Sequence, residues 1–350
     1  MVAIAHINRV GTATPPNEVH STFVDWAKSR ITDPRTAKLF ARMADRAGIE
    51  NRWSVLEPDA AARQIDPGGF YHGDSPTTAR RMTIYAEEAP KLALAAIARL
   101  GAIDGITHLV VASCTGFVAP GIDQIIATRL GLSASVERTL VGFMGCYAAV
   151  AALRTAHHIV RSEPAAKVLV VTVELCTLHL QHSTEIEPLL AMLQFGDGAA
   201  AAIVSADPVG LAITRTFSAA LPDSAHMIRW DIGDTGFVMH LAGAVPARIA
   251  DALSIPAVRA ATVGDDAVDL WAVHAGGRSV LDAVERALSL ADDALDASRA
   301  VLAEKGNMSS ATLLFVLERL LREERPAANG IALAFGPGMA AEGFGFRSVA

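Results

Sequence analysis

The chain has 350 residues, 51% of them hydrophobic, with a formal net charge of −7 and a mean hydropathy of +0.33. That length suits two domains or one large duplicated one. The acidic balance and the lack of a basic tract exclude nucleic acid as an expected partner.

Every apolar run is cut short of membrane-spanning length, by Arg99, by Arg154, or by His157 and His158. The apolarity therefore predicts a large core and a homodimer interface, with no membrane insertion. The opening run Met1-Val2-Ala3-Ile4-Ala5-His6 lacks a signal peptide's charged region and cleavage site and reads as a first strand. Three cysteines, Cys114, Cys146 and Cys176, are too few for a disulfide framework and predict a cytoplasmic protein. No Cys/His spacing suits zinc, and no Gly-rich phosphate loop opens a helix. Neither a metal nor a cofactor is expected.

The elements follow in order. A strand over 1–14 leads to a helical pattern over 18–47, broken near Pro34. Residues 57–76, rich in Pro, Gly and Asp, read as an irregular loop, and a helix follows over 77–100. The continuous apolar run 106–113 reads as a buried parallel strand ending in Cys114-Thr115-Gly116. A helix over 121–130 leads to a β-like run over 138–143, then Cys146, then an Ala-rich helix over 147–160. Cys146 thus sits where a strand turns into a helix. Free N–H groups and the helix dipole favour an anion there, which predicts a nucleophilic thiol with a depressed pKa. The plain alternative is a small Cys packing a strand-helix corner. A strand over 167–174, a polar stretch to 187 and a short helix lead to Phe195-Gly196-Asp197-Gly198, which feeds a strand over 199–205.

The second half repeats this order. A strand over 269–273 ends at His274-Ala275-Gly276-Gly277, followed by helices over 279–290 and 293–304. Gly306-Asn307 opens a helix over 308–321, a strand over 330–335 ends in Gly336-Pro337-Gly338, and a last strand runs to 349. Cys146 follows Cys114 by 32 residues and Asn307 follows His274 by 33. Such a repeat predicts two duplicated halves, 1–205 and 206–350, related by a pseudo-twofold axis. The axis would bring Cys146, His274 and Asn307 to one point. A thiolate can attack a thioester and hold its acyl group. A His-Asn pair can donate hydrogen bonds to a thioester carbonyl as charge develops on its oxygen, so that a malonyl group loses CO2 without a metal.

At these residues the sequence resembles the type III polyketide synthases, the chalcone-synthase-like branch of the thiolase superfamily. Gly145-Cys146, His274-Ala275-Gly276-Gly277 and Gly306-Asn307-Met308-Ser309-Ser310-Ala311 resemble its nucleophile, histidine and asparagine motifs. Phe335-Gly336-Pro337-Gly338 resembles its GFGPG loop, with Ala334 in place of the first glycine. The resemblance covers nearly the whole chain and implies an α/β fold of the thiolase type, with two αβα halves in a five-layered αβαβα core. It implies an acyltransferase that loads an acyl-CoA starter onto Cys146 and extends it with malonyl-CoA.

The family roles fall on particular residues. His274 and Asn307 would promote decarboxylation, and Phe195 would be a gatekeeper. Met239 stands where a second gatekeeper is usually Phe. Cys114, Thr115, Ala119, Cys176, His179, Ala191, Trp230 and Ser309, with the loop Phe335, Gly336, Pro337 and Gly338, match cavity-lining positions. Trp230 replaces a Gly of plant members and would fill space; Ala119 replaces a Met that crosses the dimer interface and would open it. Lys38, Arg42 and Arg46, spaced along one helical face, match a region that holds the CoA phosphates; otherwise they are a solvated basic stripe. A channel with apolar walls favours a medium- to long-chain acyl starter and a pyrone or resorcinol product. The rivals are an initiating β-ketoacyl-ACP synthase, which usually carries a different histidine motif, and a cysteine hydrolase of thioesters, which would release no CO2.

Overall fold

The computed structural model describes residues 3–57, 65, 69–264, 267–323 and 326–348. Half of the loop expected over 57–76, residues 58–64 and 66–68, lies outside these residues. Among the described residues thirteen strands appear in chain order: β1 His6–Ala13, β2 Asn17–Glu18, β3 Trp53–Ser54, β4 His108–Ser113, β5 Glu137–Gly142, β6 Val168–Leu175, β7 Asp197–Ser205, β8 Leu211–Ala220, β9 Ile228–Gly233, β10 Gly236–Leu241, β11 Leu270–Val273, β12 Asn329–Gly336 and β13 Ala340–Ser348. Nine of them form one sheet in the order β11-β12-β13-β8-β1-β7-β6-β4-β5.

That order carries a duplication. β4 pairs parallel with β6, β6 antiparallel with β7, and β7 antiparallel with β1. Likewise β11 pairs parallel with β12, β12 antiparallel with β13, and β13 antiparallel with β8. The two sets meet through two residue pairs, His6 with Ala212 and Ile7 with Leu211. Strand β5 has no counterpart in the second set. It is a sheet edge whose first four residues are exposed, unlike β4, β6 and β7, which are buried along their whole length.

Those fully buried strands need helices on both faces. Helix Thr78–Ala98 packs its Tyr85, Leu92, Ala93 and Ile97 on one side of the first set. Helices Ala148–Ser162 and Thr312–Arg322 share one core with strands of both sets. Helices Val245–Ser254 and Arg278–Leu288 cover the far side of the second set. Helix, first strand set, helix, second strand set and helix therefore stack as five layers, the thiolase-type α/β fold that the motifs imply.

The break expected near Pro34 separates helices His20–Arg30 and Pro34–Asp45. Asp33 caps the second, accepting from the Thr36 N–H at 2.8 Å, with Pro34 in the first turn. The elements between 206 and 268 had no expectation in the sequence: β8, the β9–β10 hairpin and helices Val245–Ser254 and Pro256–Thr262. Among the described residues no helix is long and apolar enough to cross a membrane.

Candidate active site

Cys146 lies in a tight 3-10 turn, Gly145–Tyr147, between β5 and helix Ala148–Ser162. The chain enters through Phe143 at φ 56° and Gly145 at φ 76°. Only glycine takes that second conformation freely. A Cβ on Gly145 would also stand 2.4 Å from Pro337 Cδ. The glycine thus turns the chain and admits a residue of the other half.

Asn307 is reached in the same way. Gly306 precedes it at φ 70°, and a Cβ there would stand 2.7 Å from Arg52 Cγ. The Asn307 N–H donates to the Gln194 carbonyl at 2.8 Å, and its carbonyl accepts from the Gly196 N–H at 3.0 Å. Together these make a parallel bridge with Phe195. The side chain is held from two sides: Oδ1 accepts from the Ser309 N–H at 2.8 Å, and Nδ2 donates to the Gly276 carbonyl at 3.2 Å. Both partners require the same amide orientation and leave a second Nδ2 hydrogen. The Ser309 hydroxyl and the Asn307 side chain both act on the Cys146 thiol, favouring its ionised form.

His274 follows β11 directly, its N–H donating to the Leu333 carbonyl at 2.8 Å. The residue is 2% exposed. Neither ring nitrogen finds a hydrogen-bond partner among the described residues. Leaving a buried polar atom unpaired costs about 1–3 kcal/mol, so such a ring needs an explanation. The Gly276 carbonyl, two residues on, is the one that Asn307 holds. Asn307 therefore acts on the Cys146 thiol and is tied to the loop that carries His274.

Burial pushes the His274 imidazole down to about 4. It pushes the Cys146 thiol up to about 12; the Ser309 and Asn307 hydrogen bonds act against that rise and the Glu174 charge adds to it. The depressed thiol pKa expected from the helix terminus is thus absent in the free chain. Dehydration of the sulfur is the largest cause of the rise.

Two cavities meet here. Cys146 is partly buried, its open side on an inner chamber of about 20 Å³ walled by Cys114, Thr115, Ile228, Ser309 and Pro337. An outer cavity of about 290 Å³ is lined by Leu180, Pro188, Ala191, Met192 and Val238, with His179, His182 and His240 among them. Cys176, Phe195, Trp230 and Met239 line both and stand between them. Trp230 Nε1 donates to the Cys114 carbonyl at 3.1 Å, and its ring meets those of His179 and Phe237 edge-on. His179 stacks on Phe237 with centroids 4.2 Å apart, donates from Nε2 to the Thr115 carbonyl at 2.7 Å and accepts at Nδ1 from the Phe237 N–H at 3.0 Å. Burial pushes it down to about 3, so it is a neutral wall with a fixed tautomer.

Other expected residues lie elsewhere. Ala119 is exposed and lines neither cavity. Phe335 packs in the core of the second half. Gly336 lies against the Tyr147 ring, and the Gly338 N–H donates to the Ile228 carbonyl at 3.2 Å. Of that loop only Pro337 reaches a cavity wall. Lys38, Arg42 and Arg46 are exposed on helix Pro34–Asp45 and its C-terminal cap, away from both cavities.

Glu174 is a residue the sequence reading passed over. It is fully buried near the end of β6 and accepts from the Cys114 N–H at 3.0 Å, Cys114 Sγ at 2.8 Å, Thr115 Oγ1 at 2.8 Å and the Ser310 hydroxyl. It joins the Cys114 turn to the Ser309 turn, and burial raises its pKa. The available signal was a lone acid in the apolar run 168–175. Among the described residues no group of three or more His, Cys, Asp or Glu could hold a metal.

Comparison with known proteins agrees over the whole length. Residues 2–208 match the N-terminal domain of chalcone and stilbene synthases, and residues 212–350 match the C-terminal domain. The chain is 32% identical to the alpha-pyrone synthesis polyketide synthase-like Pks18 of Mycobacterium tuberculosis, covering 98% of this chain and 91% of that protein. It is similar to the crystal structure of PKS-I from the brown alga Ectocarpus siliculosus, at 27% identity and a TM-score of 0.88, covering 100% of this chain and 99% of that one. It is also similar to the C-terminal type III polyketide synthase domain of Steely1, a type I/III hybrid from Dictyostelium, at 25% identity and a TM-score of 0.89, covering 99% of this chain and 100% of that one. The chain belongs to the chalcone and stilbene synthase family, the type III polyketide synthases, and is an acyltransferase that condenses malonyl-CoA.

Proposed function

We propose that Cys146, His274 and Asn307 form the reaction centre, and that the two halves, 1–205 and 206–350, each supply part of it. The observation that carries this reading is His274, a buried imidazole with both nitrogens unpaired beside the loop that Asn307 holds. A proton lost from Cys146 to water leaves a lone anion in a dry pocket. Transfer to His274 leaves a thiolate–imidazolium ion pair of no net charge instead, and the two titrations become one coupled event.

Loading then proceeds by attack of the Cys146 sulfur on the acyl-CoA carbonyl. The C–S bond to CoA breaks, and the CoA thiolate takes the proton from His274. Malonyl-CoA follows. Its thioester oxygen accepts from His274 and from the free Asn307 hydrogen, so the C–C bond to the carboxylate breaks, CO2 leaves and the electron pair forms an enolate. The enolate carbon attacks the Cys146 acyl carbonyl. The thiolate leaves, and the chain, two carbons longer, remains on CoA. The lengthened chain returns to Cys146 for further rounds, and lactonisation with loss of CoA, or ring closure through carbon, then gives a pyrone or a resorcinol-type product. No cofactor enters these steps; the small-molecule partners are CoA thioesters.

Phe195 and Met239 act as the gate, and exposed Lys38, Arg42 and Arg46 hold the CoA phosphates. The starter is a medium- to long-chain acyl group. The apolar wall of the outer cavity supports this, since each buried methylene contributes about 0.8 kcal/mol. An inner chamber of about 20 Å³ has room for about one water, so an acyl chain must extend past Trp230. Ala119, exposed here, does not widen the channel of one chain; Ala191 and the outer cavity support it. Three free cysteines support a cytoplasmic setting. The exposed edge strand β5, with Leu140 45% exposed and Phe117 42% exposed nearby, supports a homodimer.

The test incubates the enzyme with malonyl-CoA and a starter series from acetyl-CoA to stearoyl-CoA. We expect CO2 and free CoA in step with an alkylpyrone or alkylresorcinol seen by mass spectrometry, with kcat/KM highest beyond hexanoyl. Fatty acid without CO2 release would indicate a hydrolase, and a preference for acetyl-CoA would remove the fatty starter.

A further inference from the structure

We propose that Arg52 is a positioning residue for decarboxylation, setting Asn307 and the Phe195 gate through the turn 192–196. The inference rests on the reading of Asn307 as a carbonyl donor.

Arg52 is 1% exposed, among the largest fully buried side chains of the described protein. A guanidinium carries a strong penalty for burial, and burial lowers its pKa to about 9. No carboxylate lies within ion-pair distance among the described residues; Glu18 and Asp197 act on it from further away. The charge is spent on main-chain oxygens. Nη1 donates to the carbonyls of Met192 at 3.0 Å and Phe195 at 2.7 Å. Nε donates to His20 Nδ1 at 3.0 Å. His20 is pushed down to about 4, by burial first and by Arg52 second, so it stays neutral and accepts. The guanidinium carbon sits 4.6 Å from the centre of the Phe23 ring, and Nη2 is without a partner among the described residues.

The two carbonyls belong to the turn that holds the site. The next residue inward, Gln194, accepts from the Asn307 N–H through its carbonyl. Its side-chain Oε1 lies so close to Gly277 that a Cβ there would stand 2.2 Å away. Gly196 donates to the Asn307 carbonyl, and Phe195 between them forms the partition of the two cavities. The stem of Arg52 meets the same loop again, since Gly306 packs on Cγ. One side chain from the first half therefore clamps the turn that touches Asn307, the histidine loop and the gate. Cys146 is held separately, by Gly145 on Pro337. A fault at Arg52 should thus move the donors and leave the nucleophile.

Lysine keeps the charge but lacks the fork that spans two carbonyls and His20. In Arg52→Lys we expect Cys146 to be acylated by starter acyl-CoA within about threefold of the parent rate. CO2 release from malonyl-CoA should fall by about 30-fold or more, towards the roughly 100-fold loss that removing one donor brings. In Arg52→Ala, millimolar guanidinium should restore part of the CO2 release, whereas Asn307→Ala should not respond. Equal loss of both steps in Arg52→Lys would make Arg52 a plain structural residue, and parent-like CO2 release would remove it from the mechanism. If Arg52→Ala does not fold, the lysine variant decides alone. If Asn307→Ala itself keeps full CO2 release, the role of Asn307 fails; if it loses CO2 release while Arg52→Lys keeps it, only the role of Arg52 fails.

Discussion

His274→Ala isolates the thiol from its proposed proton acceptor. The variant leaves Cys146 with the hydrogen bonds from Ser309 and Asn307 and the raised pKa that burial imposes, about 12. At pH 8 such a thiol is ionised in roughly one molecule in ten thousand. The sign is that of an acid with a raised pKa: thiolate is gained as pH rises and falls tenfold for each unit below. Alkylation of Cys146 by iodoacetamide in the variant should therefore climb about tenfold per unit between about pH 7 and pH 9, without levelling. In the parent, transfer to the imidazole supplies thiolate without a lone charge. Its rate near neutrality should exceed that of the variant by about 100-fold and level off. Mass spectrometry of the carbamidomethylated peptide reads both profiles. Cys114 and Cys176 are buried, with thiols also pushed up, and serve as slow internal references. Superimposable profiles in the two proteins would show that His274 does not take the thiol proton.

Two further outcomes follow from the walls and the edge. Trp230→Ala removes the indole between the two cavities and its bond to the Cys114 carbonyl; the ratio of kcat/KM for long over short starters should shift by about tenfold, and an unchanged ratio would mean that the indole already swings aside in the parent. Light scattering at micromolar concentration should give a dimer, and Leu140→Asp on the exposed edge strand should move it towards monomer; a parent monomer would remove the edge from consideration.

Much of this was legible in the chain because it rests on local pattern. The strands 106–113 and 167–174 read as buried since their centres, 109–112 and 168–171, are apolar throughout. Cys146, His274 and Asn307 stood out because each follows a strand or a glycine at a matched interval. The repeat also predicted which strands would correspond, and the pairings of β4, β6 and β7 recur in β11, β12 and β13. What escaped depends on partners distant in sequence. Glu174 reads as a strand end until Cys114, Thr115 and Ser310 converge on it. Nothing in the sequence marks Arg52 until Met192 and Phe195 turn their carbonyls to it. The thiol pKa failed for the same reason. A helix terminus is visible in the sequence, but the dryness of the pocket around the sulfur is not.

The same dependence explains why neither half can hold the site alone. The duplication places a left-handed glycine before each functional residue, Gly145 before Cys146 and Gly306 before Asn307. Each glycine leaves out a Cβ where the other half presses in: Pro337 against Gly145, and Arg52 against Gly306. The contacts are reciprocal, so each half sets the loop of the other. They are not chemically equal. Pro337 is a rigid apolar wedge, and its carbonyl accepts from Tyr147 Oη at 2.9 Å, which fixes the turn that carries the nucleophile. Arg52 is a charged fork that reaches Asn307 only through a second turn. An alanine at Gly145 would strike ring atoms that have nowhere to move, and one at Gly306 would strike a side-chain stem that can shift only by loosening the Met192 and Phe195 carbonyls. The first change should therefore disturb loading and the second decarboxylation. On the proposed roles, one structural arrangement, used twice, holds two different steps of a single reaction.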